Sequence, residues 1–524
     1  MSREAQAKES IFDLPSRKWF VPDPVYDFSA QHFDRRAATP VGPAAGPHTQ
    51  LAQNIVLAWL AGSRIIELKT VQVDDQLDIP RPCIHVPNVG YNVEWSQELR
   101  VEQSAVEYTK AAYLIEILKS TRAFGLIPES ENLDRHWDTV FDISIGYDLD
   151  GIRSEKVTGF LQTMRDSGRV FDELRSELDN DLKQFRDLEL PLTVSGCVTL
   201  STFHGCPADQ IEAIGRYLLD DLGLHTIIKL NPTLLGFERV GELLHRRLGY
   251  THIELSREAF DVDLQYDSGL AILRNLQDVA QTRGSTIGAK FTNTLVVKNN
   301  ADVFPTQSDP YMYLSGKPLH VISMNLMQQF REDLGFDFPV SFSAGIDSKN
   351  FPTAVGCGLV PVTTCTDLLR QGGYGRLAGY FKTLAKEMAR VGVTSREALV
   401  LAMCGRGTAA AGESVSRLAG KDVWERNAAH LEVVARDDPQ LLPRELRALA
   451  TSVQIDPDAL VLDATRVAGR LNGRDLVPPL MEDKRYHAGA NSKSPRQIDS
   501  QLALYDCINC DLCIAACPND AIFT

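Results

Sequence analysis

From about residue 38 to residue 390, short runs rich in β-branched residues alternate with stretches of helical spacing. That alternation constrains the fold more than any other feature, because a parallel strand reaches its neighbour only through a crossover, usually a helix. The candidate strands are ATPVGPAA (38–45), IIELKT (65–70), FDISIGY (141–147), LTVSGCVTLS (192–201), TIIKLNP (226–232), IGAKFTN (287–293), PVSFSAGI (339–346) and PVTTCTD (361–367). Eight is the number that closes a barrel, so the expected fold class is α/β, a (β/α)8 barrel. A ninth run, THIELS (251–256), competes for the sixth place, and residues 250–285 read as an insertion.

Beyond residue 391 the strand signal ends, and SREALVLAM, VWERNAAHLEVVA and RELRALATSV carry helical text. The polar stretch MEDKRYHAGANSKSPRQIDS has no apolar periodicity and reads as a linker or extended arm. The expected units are an N-terminal arm (1–37), the barrel (38–390), a helical appendix with linker (391–495) and a small C-terminal iron–sulfur segment (496–524).

Ten cysteines are too sparse for a disulfide scaffold, and four of them fall within eleven residues. Cys507, Cys510, Cys513 and Cys517, followed by Pro518, have the ferredoxin spacing C-x2-C-x2-C-x3-C-P, which predicts a [4Fe-4S] cluster and one-electron transfer. In two-cluster ferredoxins the fourth cysteine of such a run serves the other cluster, so the fourth ligand here is open between Cys517, Cys404 and a partner chain. Cys83, Cys197, Cys357 and Cys404 otherwise read as small core residues. The net charge is −15 and the basic residues are scattered, which argues against nucleic acid. No stretch approaches the roughly 18 apolar residues of a membrane span, and the first residues lack an apolar export signal. A cytoplasmic protein is expected.

Active sites of (β/α)8 barrels lie at the C-terminal ends of the strands. This sequence places Lys69 and Thr70, Lys229 and Asn231, Asn293 and Thr294, Ala344 and Gly345, and Thr364 to Thr366 there. The text from about 38 to 390 resembles the FMN barrels that include dihydropyrimidine and dihydroorotate dehydrogenases. TPVGPAAGPHT is similar to their first strand and flavin-contacting turn, with Ala44 and Ala45, and IIELKT to a second strand ending in a flavin lysine, Lys69, with Thr70 beside it. KLNPT places Lys229 beside the flavin, and FTNT places Asn293 and Thr294 near flavin or substrate. YLSGKPLH, FSAGIDS and TTCTD resemble phosphate-binding segments and implicate Ser315, Gly316, Ala344, Gly345, Cys365 and Thr366. The likeness is tighter to the N-terminal part of proteins assigned as selenate reductase subunits, through VGPAAGPHTQLAQNIV, ELKTVQ, HGCP and KLNPTLLG.

The resemblance implies FMN as a cofactor, beside the [4Fe-4S] cluster, and a hydrogen-transfer reaction on a C=C or C–N bond of a small cyclic amide or heterocycle. It also puts Cys206, in HGCPADQIEAI, where the related enzymes carry an acid/base cysteine; a thiol with a pKa near 8.5 can be tuned to exchange a proton with carbon. His204 reads either as a donor to a substrate carbonyl or as a structural histidine. Between Ser195 and Thr202 the sequence reads SGCVTLST in place of the family's N-x-S-C-P, so the family's substrate asparagine is missing. Lys290 is a second cationic candidate, ranked below Lys229. CGRGTAAAG (404–412) follows helical text and is no dinucleotide loop. The implied partner is therefore a separate FAD- and NAD(P)H-binding subunit similar to the glutamate synthase small subunit, in a hetero-oligomer. The alternative is a non-catalytic electron-transfer or scaffold subunit.

Overall fold

Eight parallel strands close on themselves in the computed structural model, which describes residues 1–74, 84–86, 99–129, 133–202, 204–299 and 310–492. They are β1 (Val41–Pro43), β2 (Ile65–Glu67), β3 (Val140–Ile145), β4 (Cys197–Ser201), β5 (His225–Leu230), β6 (Ile287–Phe291), β7 (Val340–Phe342) and β8 (Val362–Thr364). Consecutive strands pair from β2 through β8, and β8 returns to β1 with Val362 opposite Val41. At the remaining seam the Arg64 N–H donates to the Val41 carbonyl at 3.0 Å. Gly42 permits that approach, since a Cβ there would sit 1.6 Å from the Ile65 carbonyl oxygen.

Each of the eight expected strand runs overlaps one of these strands, two of which begin one residue earlier than expected, so the (β/α)8 expectation holds. THIELS does not join the barrel. Of its residues Leu255 forms an isolated bridge to Val297, beside a small sheet of Ile84–His85, Leu295–Lys298 and Tyr311–Leu314. Nor is 250–285 a mere insertion, because it contains the main helix of the β5-to-β6 crossover.

A helix follows every strand: α1 (Ala52–Leu60), α2 (Val101–Ser120), α3 (Glu155–Arg165), α4 (Ala208–Arg216), α5 (Tyr266–Arg283), α6 (Lys317–Leu334), α7 (Phe351–Gly356) and α8 (Leu377–Val391). Their starts and stops follow local chemistry. Ser154 caps α3 by accepting the Val157 N–H, and Gly284 ends α5 with φ 67°, a conformation glycine adopts without a Cβ penalty. Apolar faces of the helices bury against the strands in one continuous core.

The last part of the N-terminal arm lies under the barrel, whereas Leu14 and Lys18 pack on Gly375 beyond β8. A two-stranded hairpin, Ala30–His32 with Arg35–Ala37, sets His32 against the first residues of β3 and β4, where Ala37, Ile65, Val140 and Cys197 pack together. Among the described residues five helices of seven residues or more follow α8: α9 (Arg396–Ala402), α10 (Gly407–Leu418), α11 (Lys421–Asp437), α12 (Leu442–Ser452) and α13 (Pro457–Leu476), with a hydrophobic core of their own. Ser395 caps α9 and Asp456 caps α13.

Residues 481–491 are not an extended arm. They fold as short turns in which Tyr486 is fully buried, stacks on His320 at 5.1 Å and accepts a hydrogen bond from Asn350. An aromatic residue in polar text, rather than any periodicity, anchors this segment on α6. Cys83 and the four cluster cysteines lie outside the described residues. Cys357 is fully buried, as expected of a core residue, whereas Cys404 is only half-buried.

Four buried imidazoles make this fold acid-sensitive. Burial holds His48, His85 and His320 down to about 4 and His136 to about 2, against an ordinary 6.5. Positive neighbours, Lys69 for His48 and Arg64 for His136, act in the same direction. In the unfolded chain these rings bind protons below pH 6.5, while the folded protein keeps them neutral down to about 4. Unfolding therefore takes up protons in that window, and stability falls as the pH drops from 6.5 to 4. Urea titrations across that interval should show the midpoint declining steadily; a flat or rising midpoint contradicts this account.

Candidate active site at the mouth of the barrel

All eight strands feed one cavity of about 530 Å³ at their C-terminal ends, a size that suits a cofactor and a small substrate. Ala44 and Ala45 follow β1, Lys69, Thr70 and Gln72 follow β2, and Gly146, Tyr147 and Asp148 follow β3. Ser201, Thr202 and His204 come from the end of β4, Lys229 from β5, and Thr292, Asn293 and Thr294 from the end of β6. Ser315 and Leu319 come from the start of α6, Ser343 to Ile346 from the end of β7, and Thr363 to Thr366 from β8. Of the thirteen residues that the resemblance assigned to the cofactor, twelve line this cavity; the exception is Gly316.

Gly316 stands directly behind the wall. It precedes α6 with φ 78°, and a Cβ added to Gly345, itself at φ 52°, would lie 2.3 Å from the Gly316 carbonyl oxygen. The two glycines thus bring the β7 turn onto the N-terminus of α6, whose first-turn N–H groups and helix dipole suit an anion. Thr366 begins a short 3₁₀ turn on the same side. Lys317, the first residue of α6, pairs with Asp347.

The opposite side carries the cations. Lys69 is buried, with its carbonyl accepting the Tyr108 hydroxyl at 2.8 Å. Lys229 lines the cavity, whereas Lys290 does not: it crosses the barrel below to bond the Glu67 carboxylate and donates to Thr363 Oγ1 at 3.1 Å. Burial alone would raise the Glu67 carboxyl, but the charges of Lys290 and Lys229 and hydrogen bonds from Lys290 and Ala45 hold it below its ordinary range. The Ala45 N–H donates to Glu67 Oε2 at 2.9 Å, so the buried pair also fixes the turn after β1.

A polar network built on Asp263 occupies the β4–β5–β6 side. This carboxylate is buried and receives Thr233 Oγ1 at 2.7 Å, the Gly205 N–H at 2.5 Å and Asn231 Nδ2 at 3.4 Å. Its Oδ2 also lies 2.7 Å from His204 Nδ1, and His204 Nε2 has no hydrogen-bond partner among the described residues. Burial would raise the Asp263 carboxyl; the hydrogen bond and charge of His204 and the Thr233 and Gly205 bonds outweigh it and lower it. Asn293 Nδ2 donates to Asn231 Oδ1 at 2.7 Å and to the Thr202 carbonyl at 3.0 Å.

The reading of HGCP separates here into two residues with different surroundings. His204 lines the cavity and is oriented by Asp263. Cys206 is buried outside the lining, and burial, with Asp209, Asp148 and Asp263 nearby, pushes its thiol up to about 11. Asp263 carries no motif and lies 59 residues from His204, within the stretch that sequence reading set aside.

The donor set fits a flavin mononucleotide: an anion-binding helix start with a glycine cradle, small residues where a ring can approach backbone, and two lysines across the cavity.

Residues 12–408 match the family model of the oxidoreductase YgfK N-terminal TIM-barrel domain, and residues 505–523 match that of the 4Fe-4S binding domain. The oxidoreductases named YgfK of Escherichia coli strain K12 and of Escherichia coli O157:H7 are each 37% identical over 400 residues, covering 73% of this chain and 37% of theirs. The chain thus matches little more than a third of the length of these relatives. A crystal structure of ligand-free type DHODH from Eimeria tenella superposes with a TM-score of 0.43 at 15% identity over 75% of this chain and 95% of that one. The same enzyme in complex with ferulenol gives 0.44 at 15% identity, over 73% and 90%. No described helix is long and apolar enough to cross a membrane.

Proposed function

The chain belongs to the family of the oxidoreductase YgfK N-terminal TIM-barrel domain and carries a C-terminal 4Fe-4S binding motif, and on that footing we propose that it binds FMN at the barrel mouth and transfers hydrogen to or from a small cyclic amide or heterocycle. The observation that carries the reading is the cavity at the barrel mouth, whose lining holds Lys69 and Lys229 together with Ser315 and Leu319 at the start of α6 and Gly345 after β7. FMN would supply hydride exchange with a substrate carbon and single-electron exchange with the cluster. The α6 N-terminus, Gly345 and Thr366 hold its phosphate. Lys69 and Lys229 offset negative charge on the ring, and Asn293, held by Asn231 and Thr202, presents a fixed amide to ring or substrate.

The proton that must accompany hydride is assigned to His204. Nδ1 is engaged by Asp263, which leaves Nε2 to hold or release a proton at a substrate atom. Cys206 is the second candidate and would have to reach the cavity by a rearrangement of its loop. Cys507, Cys510, Cys513 and Cys517 would hold the cluster, which would supply one-electron exchange with a separate FAD- and NAD(P)H-binding subunit in a cytoplasmic hetero-oligomer. Burial of Cys206 away from the cavity favours one alternative, an electron-transfer subunit without a substrate of its own.

The test is the anaerobic visible spectrum of the purified chain with acid-released flavin, iron and sulfide quantified. FMN with about four irons is expected, followed by turnover in a screen of pyrimidines, hydantoins and oxidised purines. Iron without flavin removes the reading; flavin without turnover selects the electron-transfer alternative. In Cys510→Ser, iron should be lost and reduction of the partner abolished while flavin content stays unchanged. Partner reduction at the original rate would remove the cluster from the path.

A further inference from the structure

At the closed end of the barrel, far from the mouth, three side chains converge with no role in the site above. His32 of the N-terminal hairpin, Asp142 of β3 and Cys197 of β4 are at most 4% exposed. Their donor atoms lie within 4.8 Å of one another: His32 Nε2 is 3.8 Å from Asp142 Oδ2 and 4.0 Å from Cys197 Sγ. We propose that His32, Asp142 and Cys197 bind a structural divalent cation of the zinc class, which staples the N-terminal hairpin to the barrel floor.

The donor set is the first argument. Imidazole, thiolate and carboxylate together select a borderline ion such as Zn²⁺ over Mg²⁺ or Ca²⁺, which prefer all-oxygen shells. Bonds of about 2.0–2.3 Å in a tetrahedron place ligand atoms about 3.3–3.7 Å apart, so the two edges at His32 need contract by only a few tenths of an ångström and the third by no more than about 1 Å.

The carboxylate supplies the second, independent argument. Asp142 Oδ2 accepts the Thr199 hydroxyl at 3.2 Å, but the buried Oδ1 has no hydrogen-bond partner among the described residues. A buried carboxylate oxygen left in that state is costly, and a divalent cation held at the carboxylate removes that cost. Lys290 does not solve the problem, because its ammonium bonds Glu67 and Thr363.

Charge and proton balance close. A divalent ion with one carboxylate and one thiolate is neutral, and binding releases the single proton of the Cys197 thiol. That thiol now donates to the Phe141 carbonyl at 3.4 Å, which also accepts the Ser195 hydroxyl at 2.6 Å and so keeps a partner after the proton leaves.

The test uses the full chain, purified anaerobically and dialysed against Zn²⁺ and then metal-free buffer. Elemental analysis should find about one zinc per chain beside the cluster iron. His32→Gln and Cys197→Ser should each lose the zinc with iron unchanged. Zinc K-edge absorption on the unmodified chain, which does not depend on any variant folding, should show one sulfur with nitrogen and oxygen neighbours. A zinc-free chain after dialysis overturns the proposal, as does a four-sulfur zinc, which would place the ion in the ferredoxin cysteines. Zinc retained in either variant overturns it too.

Discussion

Lys290→Met should destabilise the barrel by about 3–5 kcal/mol, because it strands a carboxylate in the core. Glu67 and Lys290 have side chains no more than 1% exposed and meet across the barrel between β2 and β6. Removing the ammonium leaves Glu67 with the Ala45 N–H on Oε2, no partner on Oε1 among the described residues, and the charge of Lys229 in place of a directly bonded ammonium. The measurement is the urea midpoint of the variant beside that of Glu67→Gln/Lys290→Met. The double variant should recover most of the loss, since a neutral pair of similar volume carries no stranded charge. The single variant should also lose part of its flavin, because Glu67 fixes the turn of Ala44 and Ala45. An unchanged midpoint in Lys290→Met would mean that Glu67 is neutral in the native protein and that the pair is not ionic.

That pair shows where sequence reading reached its limit. The strand runs were legible because β-branched residues crowd where both faces of a parallel strand are buried, and the cofactor candidates were legible because strand ends are fixed once strands are placed. Lys290 stands in register with Lys229, and their partners separate them: Lys229 lines the cavity, whereas Lys290 bonds Glu67 and Thr363 inside the barrel. Two cross-chain partnerships left no local trace. Asp263 meets His204 across 59 residues, and Cys197 approaches His32 across 165. Spacing rules describe ligands on one loop or one helix face, as they do for the cluster cysteines. They say nothing about an acid delivered by a crossover segment, or a histidine delivered by an N-terminal arm. The same blindness made residues 481–491 look extended, since burial of Tyr486 against His320 is a tertiary event.

His204→Gln should lower turnover by about 10²–10⁴-fold while flavin content and the iron of the cluster stay unchanged, the range expected when a positioned acid–base group is removed. Glutamine keeps a hydrogen-bonding amide of similar reach but cannot exchange a proton at the position of Nε2. Asp263→Asn tests the orientation that the geometry assigns. Without the carboxylate, Nδ1 loses its acceptor, so the ring is no longer held in the tautomer that leaves Nε2 as the exchanging atom. Its rate should fall with that of His204→Gln, and the double variant should be no worse than the more damaged single, as members of one unit behave. The assay follows anaerobic reoxidation of the reduced flavin by the heterocycle that the screen identifies, with Cys206→Ser measured alongside. Full activity in His204→Gln together with loss in Cys206→Ser would return the proton to the thiol. It would also require that the HGCP loop open in the working enzyme, because a thiol held near 11 and buried outside the cavity cannot serve from where it stands.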